Sequence, residues 1–103
     1  MTFRILAAAT AVSTLAVAAH AQDRTEIDFW HAMGGDLGER TDEFASAFNG
    51  LQDSCTVNSV YQGDYTETLT TAVAAFRAGE QPHIVQVFEV GTATMMAAEG
   101  AVY

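Results

Sequence analysis

Past residue 22, apolar positions switch back and forth between two spacings. Ile27 and Phe29 lie two apart in Thr25-Glu26-Ile27-Asp28-Phe29-Trp30, the period of one strand face. The chain then turns at His31-Ala32-Met33-Gly34-Gly35. Leu37, Phe44 and Phe48 fall at i, i+7 and i+11, one helical stripe, and predict a helix over about Asp36 to Phe48. Asp36 suits its N-cap and Asn49-Gly50 its stop. Thr56 to Tyr61, with Val57, Val60 and Tyr61, predicts a second strand. Asp64, followed three residues later by Glu67, has the form of a capping box. Leu69, Val73 and Phe76 then recur at helical spacing up to Gly79, with Pro82 just beyond. His83-Ile84-Val85-Gln86-Val87-Phe88 has the near-continuous apolar character of a strand buried on both faces. Val90-Gly91-Thr92 leads into a short helix, Ala93 to Glu99, stopped by Gly100.

The order β-α-β-α-β-α predicts an α/β fold with a mostly parallel sheet and right-handed crossovers. In such sheets a ligand sits beyond the carboxyl ends of the strands. That directs attention to three turns: Trp30 to Gly35, Gln62 to Tyr65 and Glu89 to Thr92.

The first 21 residues follow another pattern. Arg4 gives a positive start, Ile5 to Ala18 are almost all Ala, Val, Leu and Ile, and Ala19-His20-Ala21 is a small-x-small site. This is the layout of a cleaved secretory signal peptide. The apolar run is shorter than the roughly 18–20 residues of a membrane-spanning helix. Cys55 lies far from the cleavage site, so no lipoprotein anchor is expected, and a lone cysteine forms no internal disulfide. After cleavage three arginines face 13 acidic residues, a formal charge of −10. Such a balance argues against general nucleic-acid binding, which needs a basic surface.

Each strand-end turn carries a side chain with chemistry to offer. Trp30 can cover a carbon skeleton with its face or simply cap a core. Tyr65 opens the second helix, where free backbone N–H groups favour an anion, or it is a surface aromatic. Glu89 can accept two hydroxyl hydrogen bonds, and an acid within Val87-Phe88-Glu89-Val90 belongs in a cleft or at an exposed strand end. His31 suits structural hydrogen bonding, and Met95-Met96 helix packing. No HExxH, zinc-spaced Cys/His pair, G-x-S-x-G elbow, P-loop or G-x-G-x-x-G occurs, so no metal, cofactor or catalytic group is expected. The combination suits a small hydroxylated ligand, with or without a phosphate group.

Several runs carry a resemblance. Phe29-Trp30-His31-Ala32-Met33, Tyr61-Gln62-Gly63-Asp64-Tyr65 and Pro82-His83-Ile84-Val85-Gln86-Val87 resemble family 1 extracellular solute-binding proteins. Glu89-Val90-Gly91-Thr92-Ala93-Thr94-Met95-Met96-Ala97 is similar to the glycerophosphate branch of that family. The resemblance covers nearly all of residues 25–98. It implies a type II periplasmic binding protein fold, two α/β lobes closing on ligand, of which residues 22–103 are an incomplete N-terminal lobe. It implies a monomer that carries sn-glycerol 3-phosphate or glycerophosphodiesters through the periplasm to the permease of an ABC importer. Tyr65 is then expected to bond phosphate and Glu89 glycerol hydroxyls, with Trp30 beside the cleft. The arginine expected to neutralise phosphate has no counterpart in Arg24, Arg40 or Arg77. Two alternatives stay open: a sugar or oligosaccharide carrier of the same family, and a truncated remnant that binds nothing.

Overall fold

The computed structural model describes residues 23–102. The expected signal peptide, residues 1–21, lies outside them. Six elements follow in strict alternation: β1 (Thr25–His31), α1 (Gly35–Leu51), β2 (Cys55–Tyr61), α2 (Tyr65–Ala78), β3 (Ile84–Val85) and α3 (Glu89–Ala97). The sheet order is β2-β1-β3, and both pairings are parallel. The expected α/β architecture is therefore present, compatible with the N-terminal part of a periplasmic-binding-protein lobe. β1 pairs with β2 along its whole length, from Thr25↔Cys55 to His31↔Tyr61. Its pairing with β3 is confined to Phe29↔Ile84 and Trp30↔Val85.

α2 forms as its sequence dictates. Asp64 accepts from Glu67 N–H at 2.8 Å and Glu67 Oε2 accepts from Asp64 N–H at 2.8 Å, a complete capping box. Gly63 makes the turn before it at φ +100°, and Gly79 ends the helix in the left-handed region at φ +73°.

α1 departs from expectation at both ends. Gly34, not Asp36, is the N-cap, and Asp36 sits in the first turn, where its charge complements the helix dipole. The helix also runs through Asn49-Gly50 to Leu51. Asn49 stays helical because its amide is engaged elsewhere: Nδ2 donates to Val57 O at 3.0 Å, and Oδ1 accepts Val57 N–H at 2.8 Å. Gln52 grips Cys55 in the same way, with Nε2 donating to its O at 2.8 Å and Oε1 accepting its N–H at 2.9 Å. Arg24 supplies the cation that the last turn of α1 lacks, donating to the carbonyls of Asn49 (3.3 Å) and Gln52 (3.0 Å).

β3 is the larger correction. Two residues, not six, join the ladder, and Ile84 is 49% exposed, not buried on both faces. Side chains replace main chain at its two ends. His83 Nδ1 accepts Asp28 N–H at 3.0 Å, and Gln86 Oε1 accepts Ala32 N–H at 3.0 Å. The chain leaves the sheet early, so α3 starts at Glu89 and ends at Ala97, ahead of the expected Ala93–Glu99.

The covered centre is small. Among the described residues His31 (1%), Thr68 (0%), Ala72 (3%) and Pro82 are buried. The apolar stripe of α1 exists but is not covered: Leu37 is 63% exposed and Phe44 74%. Phe29, Phe44, Phe48 and Val57 line an open groove between α1 and the sheet.

Candidate ligand site at the strand ends

β1 lies between β2 and β3, and its carboxyl end gathers all three turns. His31, its last residue, is the clasp. Its Nδ1 accepts Met33 N–H at 3.3 Å, so the proton belongs on Nε2, which faces Ser59 Oγ at 2.9 Å. The Asp42 carboxylate lies 3.9 Å from the same nitrogen. The His31 carbonyl accepts Gln62 N–H at 2.9 Å and Thr68 Oγ1–H at 3.5 Å, which fixes the second turn to the first. The imidazole is buried and engaged on both nitrogens, the structural role its position suggested. Among the described residues no group of three His, Cys, Asp or Glu is placed to hold a metal ion.

The third turn is joined to the first through Gln86, whose N–H donates to Trp30 O at 2.8 Å. It meets the second through aromatics: the Tyr65 and Phe88 rings are 5.5 Å apart. Phe88 is the N-cap residue of α3, so Tyr65, first residue of α2, stands beside the start of the helix that Glu89 opens. Gly91 helps this fit, since a Cβ there would meet Leu69 at 3.3 Å and Phe88 at 3.4 Å. Tyr65 and Glu89 are exposed and Trp30 is half-buried. The structure thus sets Tyr65 against Phe88, the residue that precedes Glu89, and joins the Trp30 main chain to the same segment by way of Gln86. Sequence reading passed over both connectors. The polar Gln86 inside an otherwise apolar run was the available signal.

The electrostatics of this end are acidic. Asp36, Glu67 and Glu89 lie in the first turns of α1, α2 and α3, with Asp64 capping α2. Among the described residues no arginine balances them here. Arg24 is held at the other end of the sheet, where it also pairs with Asp53, Arg40 pairs with Glu43 at 2.7 Å, and Arg77 is in the last turn of α2. Among the described residues no side chain caps the α1 or α3 N-terminus. Two grooves, about 290 and 280 Å³, lie elsewhere, over Ala72, Phe76 and Met95, and the first is also lined by Pro82, Val85 and Val87 of the β3 segment. Neither is lined by Trp30, Tyr65 or Glu89.

Comparison with known proteins gives these turns a context. No protein-family model matches the chain. The sn-glycerol-3-phosphate-binding periplasmic protein UgpB of Yersinia pestis is 49% identical over 86 residues, 84% of this chain and 20% of that protein. The protein of the same name from Pectobacterium atrosepticum is 44% identical over 98 residues, 95% of this chain and 22% of the relative. In Escherichia coli the figures are 47% over 85 residues, 82% and 19%. The relatives are named as binding proteins, not enzymes. No helix of the described residues is long and apolar enough to cross a membrane. At 44–49% identity over most of its own length, and spanning about a fifth of theirs, the chain is a homologue of the sn-glycerol-3-phosphate-binding periplasmic proteins.

Proposed function

We propose that this chain forms part of the first lobe of a periplasmic solute-binding protein that delivers sn-glycerol 3-phosphate or a glycerophosphodiester to an ABC permease. Residues 1–21 serve as its export signal, and it performs no chemistry of its own. The observation that carries the reading is the contact of Tyr65, at the start of α2, with Phe88, the residue before Glu89 at the start of α3, within a segment similar to proteins of that name. In this reading Glu89 accepts hydrogen bonds from the glycerol hydroxyls, each worth about 1.5–3 kcal/mol because the acceptor is charged. Tyr65 O–H donates to a phosphate oxygen, and Trp30 lines the cleft. The charge that neutralises phosphate comes from outside residues 23–102, because the acidic first turns cannot provide it.

That acidity also favours a second reading, an uncharged polyol or sugar held by carboxylates. Calorimetric titration of the longest polypeptide that carries this sequence separates the two. The first reading expects sn-glycerol 3-phosphate to bind at least a hundredfold tighter than glycerol or a disaccharide. A disaccharide binding more tightly would establish the second. Heat from none of the three would leave a non-binding remnant.

A further inference from the structure

We propose that Gln86 is a positioning residue for the ligand site: its side-chain carbonyl takes the place of its own main-chain carbonyl in the sheet, and so sets Glu89 over the end of β1. The proposal rests on the reading of Glu89 as a ligand contact. The register supports it. Trp30 pairs with Val85, and Gln86 N–H donates to Trp30 O at 2.8 Å. In a parallel ladder the next bond runs from Ala32 N–H to the main-chain carbonyl of residue 86. Here Gln86 Oε1 accepts that N–H instead, at 3.0 Å.

The substitution has a geometric consequence. With its carbonyl released, residue 86 is free to turn out of the sheet while Ala32 N–H, in partly buried surroundings, keeps a partner. Three residues later α3 begins. Were the main-chain bond made, β3 would continue toward Phe88 as the apolar run suggests, and Glu89 would be carried off the end of the strand. α3 has few other restraints: Val90 and Met96 are each 68% exposed, and its start rests on Phe88 against Tyr65 and on Gly91 against Leu69. Gln86 is long enough to span this gap and carries no charge, so it adds nothing to an already acidic end. Asparagine is one methylene shorter, and glutamate would bring a further negative charge toward an anionic ligand.

The test pairs Gln86→Met, which keeps length and loses the acceptor, with a double-mutant cycle through Glu89→Gln in the longest polypeptide carrying this sequence. The probe is sn-glycerol 3-phosphate. A positioning role predicts about tenfold weaker binding from Gln86→Met when Glu89 is present, and less than a twofold change when residue 89 is already glutamine. Equal losses in both backgrounds, or no loss in either, overturn it. A second measurement needs no ligand. The wild-type Ala32 amide nitrogen should show a through-hydrogen-bond NMR coupling to the side-chain carbon Cδ of Gln86. Coupling to its main-chain carbonyl carbon, or to neither, overturns the proposal even if the ligand assignment is correct. If the wild-type protein binds no sn-glycerol 3-phosphate, the ligand reading fails and the Glu89 positioning fails with it, while the coupling still reports the exchange of carbonyls.

Discussion

Along the outer edge of β2, side-chain amides close the sheet; along β3, a side-chain amide and an imidazole shorten it. On the first edge Asn49 and Gln52, both at the end of α1, bond the outward N–H and C=O of Val57 and Cys55. Two of the backbone pairs that would otherwise invite another strand are satisfied. On the other edge His83 and Gln86 each replace a main-chain acceptor, and the strand shrinks to two residues. The first device stabilises an edge far from the strand-end turns. The second gives up ladder bonds to aim α3 at the candidate site. The same chemical group therefore serves stability on one side and geometry on the other.

The largest effect on this contrast should come from Asn49→Leu. It strands two partly buried backbone groups on Val57, and should destabilise the protein by about 2–3 kcal/mol in chemical denaturation and promote self-association. Gln52→Ala removes the corresponding pair at Cys55, nearer the end of the edge, and should cost about 1–2 kcal/mol by the same measurement. Asp64→Ala lies on neither edge. It dismantles one arm of the capping box and should lower stability by about 1 kcal/mol, with fraying confined to the first turn of α2 by amide exchange. Gln86→Met should fall below these in stability while exceeding them in its effect on affinity. That inversion is the sharpest test of the contrast: a Gln86→Met protein destabilised as strongly as Asn49→Leu would remove the distinction between the edges. Leu51→Gln, at a position 84% exposed, should stay within about 0.5 kcal/mol of wild type.

How far the sequence revealed these features depends on how local their causes are. The α2 boundaries were readable because Asp64, Glu67 and Gly79 act within one turn of the helix end they define. The strand-helix alternation was readable because it needs only apolar spacing. The end of α1 was not: Asn49-Gly50 reads as a stop until Val57, the partner of the Asn49 amide, is known to lie beside it. Likewise, the apolar run through Phe88 predicts a long β3, and only the folded register reveals that Gln86 competes with its own backbone for Ala32. Periodicity located the α1 stripe but carried no information on what covers Leu37 and Phe44. Of the three candidate site residues, Tyr65 was singled out at a helix start, and Trp30 and Glu89 at strand ends. Phe88, whose ring meets Tyr65, has no chemistry that sequence alone would single out.

We propose that Glu89, at the start of α3, holds the hydroxyls of a glycerophosphate ligand. Titration of the longest polypeptide containing this chain with sn-glycerol 3-phosphate, before and after Glu89→Ala, tests it most directly. The wild type should give measurable heat and the variant at least thirtyfold weaker binding, about 2 kcal/mol, with the melting temperature unchanged. Wild-type binding that survives Glu89→Ala undiminished would contradict it.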